Sequence, residues 1–441
     1  MDDDRRRNVF VAGLDPFNLR LLKNVRHADD YAFHTLFDFD EITHAERFDM
    51  EALLDKARGV LRDFDGSIDA IVSYWDFPSI VMMPILRREF GLPGPSLESV
   101  LRCQHKYWSR SVQRNAVPRQ VPRFARVDPF EADPDAPPLD YPFWLKPVVA
   151  HSSILGFRVE NREDYAHALA QTRSGISRFA EPLEVLMGYA DLPAEIAEAG
   201  AAQCIAEEII SQGAQCTLEG YAFRGETEIY GIVDSIRGSN RSSLERYEYP
   251  SALPEPVKAR MRASAAEVVA AIGLDNSPFN IEYFYHEEED SLSLLEINAR
   301  ISKSHSPIFD MVEGVPHKEV MLDVALGRKP DYPARRGEFR YAAKFMPRLY
   351  GHSDDEVVTH APGEDEIRAL EERFPGARIQ LYVQEGLRLG ELKHRDEYSH
   401  ELAAIFLGAS SREALHADFE ELFDAMDILT ADADDASDAT G

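Results

Sequence analysis

The first hundred residues alternate between short apolar runs and segments whose apolar residues recur at helical spacing. This pattern predicts buried strands at 8–13, 32–37 and 70–74, and helices at 16–27, 50–63 and 77–90. Strands that alternate with helices are typical of a parallel sheet with crossover helices. The turn after the first strand lacks the glycine spacing of a dinucleotide-binding loop, so NAD is not predicted.

Strict alternation of polar and apolar residues is clearest on either side of a polar turn at 286–291. Because strand side chains alternate between faces, Glu296, Asn298 and Arg300 are predicted to project from one side of their strand. The two flanking segments are interpreted as a β-hairpin in which Glu282 faces Glu296 and Asn298. An ordinary antiparallel pair with a solvated face is the alternative.

These side chains suit phosphoryl chemistry, because carboxylate and amide oxygens are the ligands that Mg²⁺ prefers and a fixed cation suits a phosphoryl group in transit. The run from Glu296 to Arg300 resembles the E-[IMV]-N-x-R strand of the ATP-grasp superfamily of ligases, which includes biotin carboxylase, carbamoyl-phosphate synthetase and D-alanine–D-alanine ligase. The resemblance extends more weakly over most of 8–425. It implies ATP, Mg²⁺ or Mn²⁺ held by Glu282, Glu296 and Asn298, and a catalytic Arg300.

The resemblance also implies two cations that reach the ATP phosphates. Lys106 and Lys146 occupy the corresponding places on a helix and on a strand. A lysine at a strand end is otherwise a surface residue with its ammonium in solvent. The loop at 149–156 would close over the phosphates, and since it contains a single glycine, the hydroxyls of Ser152 and Ser153 would help to bind them.

The segment 204–210 resembles the link between the two halves of the ATP cleft, where Glu207 and Ile210 would contact the adenine. A buried strand that ends in two exposed acids is the alternative reading of the same residues. The superfamily commonly places a ribose-binding acid further along, and Gln215 stands there in this chain. An arginine-rich loop at 237–247 is either a site for substrate carboxylate or phosphate, or a solvated loop.

The residues after Arg300 bear on the reaction. In biotin carboxylase the corresponding run has an acid directly before a histidine, whereas this chain has Ser304 before His305. His305 is a candidate for a catalytic or substrate-binding role, and a structural histidine is the alternative. Serine cannot take a proton from bicarbonate at neutral pH, which favours a different substrate.

The expected activity is therefore that of an ADP-forming carboxylate–amine ligase. It would activate a small carboxylate as an acyl phosphate and join it to an amine or another nucleophile, with release of ADP and phosphate. A bicarbonate-activating enzyme similar to biotin carboxylase and a non-catalytic ATP-binding regulatory protein are the alternatives.

The expected fold class is α/β and α+β. The predicted domains are an N-terminal parallel α/β domain at 1–95, an ATP-grasp domain at 96–330, a C-terminal α+β cap domain at 331–428 and an acidic tail at 429–441. In the cap domain the pattern predicts strands at 340–345, 378–383 and 402–409, and helices at 364–374 and 411–425.

The composition limits which partners the protein is expected to bind and in which compartment it is expected to lie. The net charge of −30 repels nucleic acid and anionic lipid, so neither is an expected partner. No apolar run approaches 18 residues, so no membrane span is predicted. The N-terminus does not resemble a signal peptide, and three cysteines without metal spacing favour a reducing cytoplasm. A homodimer is an open possibility, because dimers are frequent in the superfamily.

Overall fold

The computed structural model describes residues 6–43, 45, 47–150, 154–238, 243–374, 376–396 and 398–432. The helices are α1 Pro16–Leu22, α2 Phe39–Thr43, α3 Met50–Arg62, α4 Ser79–Glu89, α5 Leu97–Gln104, α6 Lys106–Ala116, α7 Arg162–Gly175, α8 Ser177–Met187, α9 Ala194–Ala199, α10 Glu255–Ile272, α11 Ser306–Glu313, α12 Lys318–Ala325, α13 Glu364–Arg373 and α14 Arg412–Met426. Within the described ranges, no helix has both the length and the apolarity that a membrane crossing needs.

The strands are β1 Arg7–Ala12, β2 Tyr31–Phe37, β3 Ala70–Val72, β4 Phe124–Val127, β5 Phe143–Pro147, β6 Phe157–Val159, β7 Cys204–Glu208, β8 Ala214–Phe223, β9 Glu226–Arg237, β10 Leu244–Tyr249, β11 Ser277–His286, β12 Ser291–Asn298, β13 Tyr341–Phe345, β14 Arg348–Tyr350, β15 Val357–His360, β16 Arg378–Leu381, β17 Ser399–Glu401, β18 Ala403–Ala409 and β19 Leu429–Ala431.

The chain forms two compact units, each built from separate stretches of sequence. The first comprises Met1–Gly231, Leu253–Lys303 and Lys318–Tyr332, and the second comprises Ile232–Ala252, Ser304–His317 and Pro333–Gly441. These units group residues in a different way from the domains expected from the sequence, so the boundaries at 95, 330 and 428 remain predictions.

The first unit begins with the predicted parallel sheet, in the order β2-β1-β3. Its core residues include Val9, Val11 and Val72, and Met321 and Leu322 of α12 pack in the same cluster. The apolar runs of these strands therefore reflect burial, as expected for a parallel sheet. The predicted strands and helices of this region are confirmed, although the first helix is shorter than the pattern suggested and ends at Leu22.

Two antiparallel sheets complete the first unit. A four-stranded sheet has the order β4-β7-β5-β6, and β12, β11 and β8 hydrogen-bond in that order. Buried aromatic and branched residues on β11, such as Phe279, Ile281 and Tyr283, fix the face that packs into the core. The predicted hairpin on either side of residue 290 is confirmed.

The second unit has the strand order β10-β13-β18-β16, with β10 paired to the end of β9. Its core joins Phe345 and Ile405 to Leu415 and Leu422 of α14. The predicted strands and helices of the cap domain are confirmed. The tail differs from expectation at its start, because β19 pairs with β15 and takes residues 429–431 into regular structure.

Candidate active site

Glu282 and Glu296 are direct cross-strand partners on β11 and β12, as the sequence predicts. A β-bulge lies between them and the turn, because Tyr283 pairs with Leu294 and leaves Leu295 as the extra residue. On the side of the bulge that is away from the turn, both carboxylates project from the same face of the hairpin. Asn298 pairs with Asn280 two residues further along the same hairpin.

Asn280 orients the amide of Asn298. The Asn298 Nδ2 group donates to Asn280 Oδ1 at 3.1 Å and to Glu296 Oε1 at 3.2 Å. Both hydrogen bonds use the amide nitrogen, so the carbonyl oxygen of Asn298 is the atom left to face a metal. Asn280 was not predicted as a site residue, although it shares its strand and its alternation with Glu282.

Gln215 on β8 supports the second carboxylate. Its side chain is buried, and its Nε2 donates to Glu282 Oε2 at 2.8 Å. The ribose contact expected for Gln215 remains a prediction. Its observed partner shows that it also restricts the rotamer of a candidate metal ligand, as outer-shell residues do at metal sites.

These residues fit a magnesium ion. Two carboxylates and one amide oxygen are hard ligands on adjacent strands, and Mg²⁺ usually keeps water and phosphate oxygens beside a few protein ligands. The described part of the chain contains no cluster of three His, Cys, Asp or Glu side chains that could hold a metal alone. The hairpin therefore offers two carboxylates and one amide oxygen as a partial ligand shell.

Lys146 is fixed by an ion pair with a buried carboxylate. It lies on β5 with its Nζ 2.5 Å from Glu207 Oε2, and Glu207 Oε1 accepts from Arg110 Nε at 2.5 Å. Burial alone would raise the pKa of the Glu207 carboxyl, but the charges of Arg110 and Lys146 lower it to about 2. Glu207 is therefore ionised and buried, which excludes the exposed pair of acids that was the alternative reading.

Lys106 is the first residue of α6, and its Nζ donates to the Ala150 carbonyl oxygen at 2.9 Å. Burial lowers the pKa of Lys106 and the carboxylate of Glu296 opposes that shift, while Lys146 lowers the pKa further. Both predicted phosphate-binding lysines therefore act electrostatically in the same region as a predicted metal ligand.

Arg300 lies just beyond the end of β12, not within the strand as predicted. Its Nη2 donates to Asp76 Oδ2 at 2.7 Å, and its buried Nε has no partner among the described residues. Asp76 follows β3, at the carboxyl end of the parallel sheet, where ligands commonly bind in open α/β sheets. No motif or spacing in the sequence predicts Asp76.

Two more lysines lie at the carboxyl end of the parallel sheet. Lys303 Nζ is 3.7 Å from the centre of the Trp75 ring, and Lys318 Nζ is 3.6 Å from that of Tyr74. Lys318 is fully buried, and burial holds its pKa well below the ordinary value, an effect that Lys303 increases.

The remaining predicted residues have different outcomes. Ser152 and Ser153 lie outside the described residues. Ile210 follows β7, and its carbonyl oxygen accepts from the Gln212 N–H at 2.8 Å. His305 belongs to the second unit, where it is buried with its ring edge-on to Tyr247 at 4.8 Å. The roles predicted for these residues remain predictions.

Comparison with known proteins identifies the fold. Residues 139–307 match the family model described as an ATP-grasp domain, and the predicted resemblance to this superfamily of ligases is confirmed. The chain is 25% identical to urea amidolyase of Lachancea kluyveri over 324 residues, which are 72% of this chain and 16% of that relative. The chain thus spans a small part of the length of that relative.

Solved structures agree along nearly the whole chain. An L-amino acid ligase from Bacillus licheniformis has a TM-score of 0.71 and 17% identity, covering 97% of this chain and 99% of that one. The biotin carboxylase domain of the Hydrogenobacter thermophilus 2-oxoglutarate carboxylase, solved with MgADP, ADP and bicarbonate, has a TM-score of 0.62 and 16% identity, covering 97% and 91%. The likeness confirms the predicted fold class.

Proposed function

We propose that this protein is an ADP-forming ligase that activates a small carboxylate with ATP and joins it to an amine or a related nucleophile. The observation that carries the proposal is the convergence of two lysines and a carboxylate pair. Lys106 lies within electrostatic reach of both Lys146 and Glu296, and Glu296 faces Glu282 across the hairpin. Cations beside oxygen ligands are what a triphosphate requires.

Each residue has a distinct role in this mechanism. Lys106 and Lys146 bind phosphate oxygens, while Glu282, Glu296 and Asn298 would hold Mg²⁺ or Mn²⁺. When bound, the metal supplies neutralisation of phosphate charge. Arg300 would direct its Nε, which has no hydrogen-bond partner within the described ranges, to the transferring phosphoryl group while Asp76 holds another of its nitrogens.

The chemistry balances without a redox partner. A carboxylate oxygen of the substrate attacks the γ-phosphorus, the bond to the β–γ bridging oxygen breaks, and ADP leaves. The nitrogen of the second substrate then attacks the acyl carbon, phosphate leaves and the amine loses a proton. The substrate carboxylate is already ionised at neutral pH, so the first step needs no base.

The test is a screen for ADP release with amino acids and small carboxylates, alone and in pairs. A productive pair should be repeated with ¹⁸O in the carboxylate, because an acyl phosphate intermediate carries one labelled oxygen into the released phosphate. Release of AMP and pyrophosphate would indicate adenylation and would overturn the proposed mechanism.

A bicarbonate-activating enzyme is the second candidate, and the likeness to a biotin carboxylase domain favours it. Against it, Ser304 stands in the place of the acid that the carboxylase uses, and loss of a general base typically costs about 10² to 10⁴ in rate. Free biotin with bicarbonate should therefore give no ADP release above background, and biotin-dependent release would promote this candidate.

A non-catalytic ATP-binding regulatory protein is the third candidate, and it predicts nucleotide binding without turnover for every substrate pair. The proposal further includes a cytoplasmic location and small-molecule substrates, with no nucleic-acid or membrane partner. The acidic net charge and the three buried thiols support these assignments. Whether the protein is a homodimer is best measured by sedimentation.

A further inference from the structure

Arg110 is a buried hub on α6, one helical turn after Lys106. Its side chain is 3% exposed. It donates from Nε to Glu207, from Nη1 to the Leu294 carbonyl oxygen at 2.7 Å and to Gln113 Oε1 at 2.9 Å, and from Nη2 to the Leu295 carbonyl oxygen at 2.8 Å. One planar group therefore connects three segments of the first unit.

Two of these partners belong to the metal-binding strand. Leu294 and Leu295 directly precede Glu296 on β12. Consecutive carbonyls of a regular strand point to opposite sides. Here the β-bulge at Leu295 distorts the ladder, which explains how a single guanidinium reaches both carbonyl oxygens. Arg110 therefore holds the strand by hydrogen bonds at the bulge, and this bulge fixes the direction in which Glu296 projects.

The contact with Glu207 connects Arg110 to the phosphate-binding Lys146. Glu207 uses one carboxylate oxygen for Arg110 and the other for Lys146. Arg110 and Lys146 contribute two positive charges and Glu207 one negative charge, so the three side chains together carry one net positive charge for an anion. The planar fork of arginine fixes direction as well as charge, which a lysine cannot do.

We propose that Arg110 is a positioning residue that couples Lys146 to the metal-binding strand, so that phosphate and metal ligands keep one mutual geometry. This inference rests on the nucleotide site of the proposed function. Stability alone does not account for the network, because a buried ion pair gains little over well-packed apolar side chains of similar volume.

A double-mutant cycle on nucleotide affinity tests the coupling. The probe is the non-hydrolysable analogue AMP-PNP, titrated by calorimetry with and without Mg²⁺. In the wild-type background Lys146→Met should weaken binding by about tenfold or more, since it removes a charged hydrogen bond. In the Arg110→Met background the same change should cost less than about threefold, because the lysine has already lost its fixed position.

The dependence on Mg²⁺ gives a second readout. The factor by which Mg²⁺ tightens AMP-PNP binding should fall in Arg110→Met and stay reduced in Arg110→Lys, since a lysine keeps the charge but lacks the fork. Arg110→Lys also serves as the background for Lys146→Met if the double variant Arg110→Met/Lys146→Met does not fold, because it keeps a cation beside the buried Glu207 carboxylate.

Arg102 on α5 provides the matched control. It also donates to a backbone carbonyl, that of Ile272 at 2.8 Å, and lies 5.2 Å from the Trp108 ring centre. Arg102→Met should lower the free energy of unfolding, but it should not change the factor by which Mg²⁺ tightens AMP-PNP binding. Its effect on AMP-PNP affinity should add to that of Lys146→Met. If the effects of Arg110→Met and Lys146→Met on AMP-PNP affinity are also additive, and if Arg110→Met leaves the Mg²⁺ factor unchanged, this inference is overturned while the proposed function stands. A folded wild-type protein that binds no AMP-PNP would overturn the proposed function and this inference with it.

Discussion

Glu296 is the side chain on which the metal assignment depends most directly. Glu296→Gln keeps the shape but removes a charge from the ligand set, so turnover should fall by roughly 10²-fold or more while the fold is retained. The measurement is the rate of ADP release with the best substrate pair, and urea unfolding checks the fold. Glu287→Gln, in the exposed turn of the same hairpin, is the control and should leave the rate unchanged. Near-normal turnover in a well-folded Glu296→Gln variant would contradict the assignment of Glu296 as a metal ligand.

Glu207 should make stability depend on pH in a defined window. Its pKa is about 2 in the folded protein against an ordinary 4.5. A depressed carboxyl pKa contributes stability that is present above pH 4.5 and is lost as the pH falls towards 2. The contribution at neutral pH is on the order of 3 kcal/mol.

Glu207→Gln isolates that contribution. The difference in free energy of unfolding between wild type and variant should be largest at pH 6 and should shrink by pH 3, as measured by urea unfolding. Glu208→Gln is the control, because Glu208 is exposed, and its effect should stay within about 0.5 kcal/mol at both pH values. An equal difference for Glu207→Gln at both pH values would contradict the ion-pair account.

At the residue scale, the alternation of polar and apolar residues predicted which side chains share a face of a strand. It did not predict which distant residues form hydrogen bonds with those strands and side chains. Glu282 and Glu296 face each other because strand pairing preserves the alternation that the sequence shows. Arg110 reaches Leu294 across 184 positions, and Arg300 reaches Asp76 across 224. Such partners depend on how distant elements pack, and no spacing rule carries that information.

At the element scale, Gly213 between β7 and β8 has a φ of +88°, and a Cβ there would overlap the Tyr285 carbonyl oxygen. Gly213→Ala should therefore lower the free energy of unfolding by more than the roughly 1–2 kcal/mol that a left-handed backbone costs alone. Thermal and urea unfolding measure it. Gly225→Ala is the matched control, because Gly225 has a φ of +80° but open space around it. Equal losses of unfolding free energy in the two variants would show that the backbone around Gly213 adjusts to the added Cβ at no further cost, and would contradict this prediction.

The elements themselves were largely predicted, and the exceptions have local causes. The helix expected to carry Lys106 begins only at that residue and is separate from α5, because His105 is extended with a ψ of 96° and its Nδ1 caps α6 at Trp108. The strand expected through Arg300 ends at Asn298. Both departures follow from side-chain and backbone contacts that periodicity does not encode.

At the scale of the whole molecule, the fold class followed from the order of patterns along the chain. Alternating strands and helices predicted the parallel sheet, and a later run of strands predicted the antiparallel part. The grouping into two units was not predictable in the same way, since 232–252 and 304–317 join the second unit from inside the stretch expected to be one domain. Contacts between distant segments decide such grouping.

The three cysteines, none of which forms a disulfide, can report local opening of the segments that carry them. Cys103, Cys204 and Cys216 are buried in α5, β7 and β8, and burial raises the pKa of Cys103 and of Cys204 to about 12. A thiol that is both shielded and protonated reacts with N-ethylmaleimide only when its segment opens. In the native protein each alkylation should therefore be at least about 10³-fold slower than in 6 M urea, as mass spectrometry of peptides can show. AMP-PNP should slow Cys204 and Cys216 further if nucleotide closes the strands that carry them. Time courses of this kind would map ligand-dependent motion residue by residue without any engineered label.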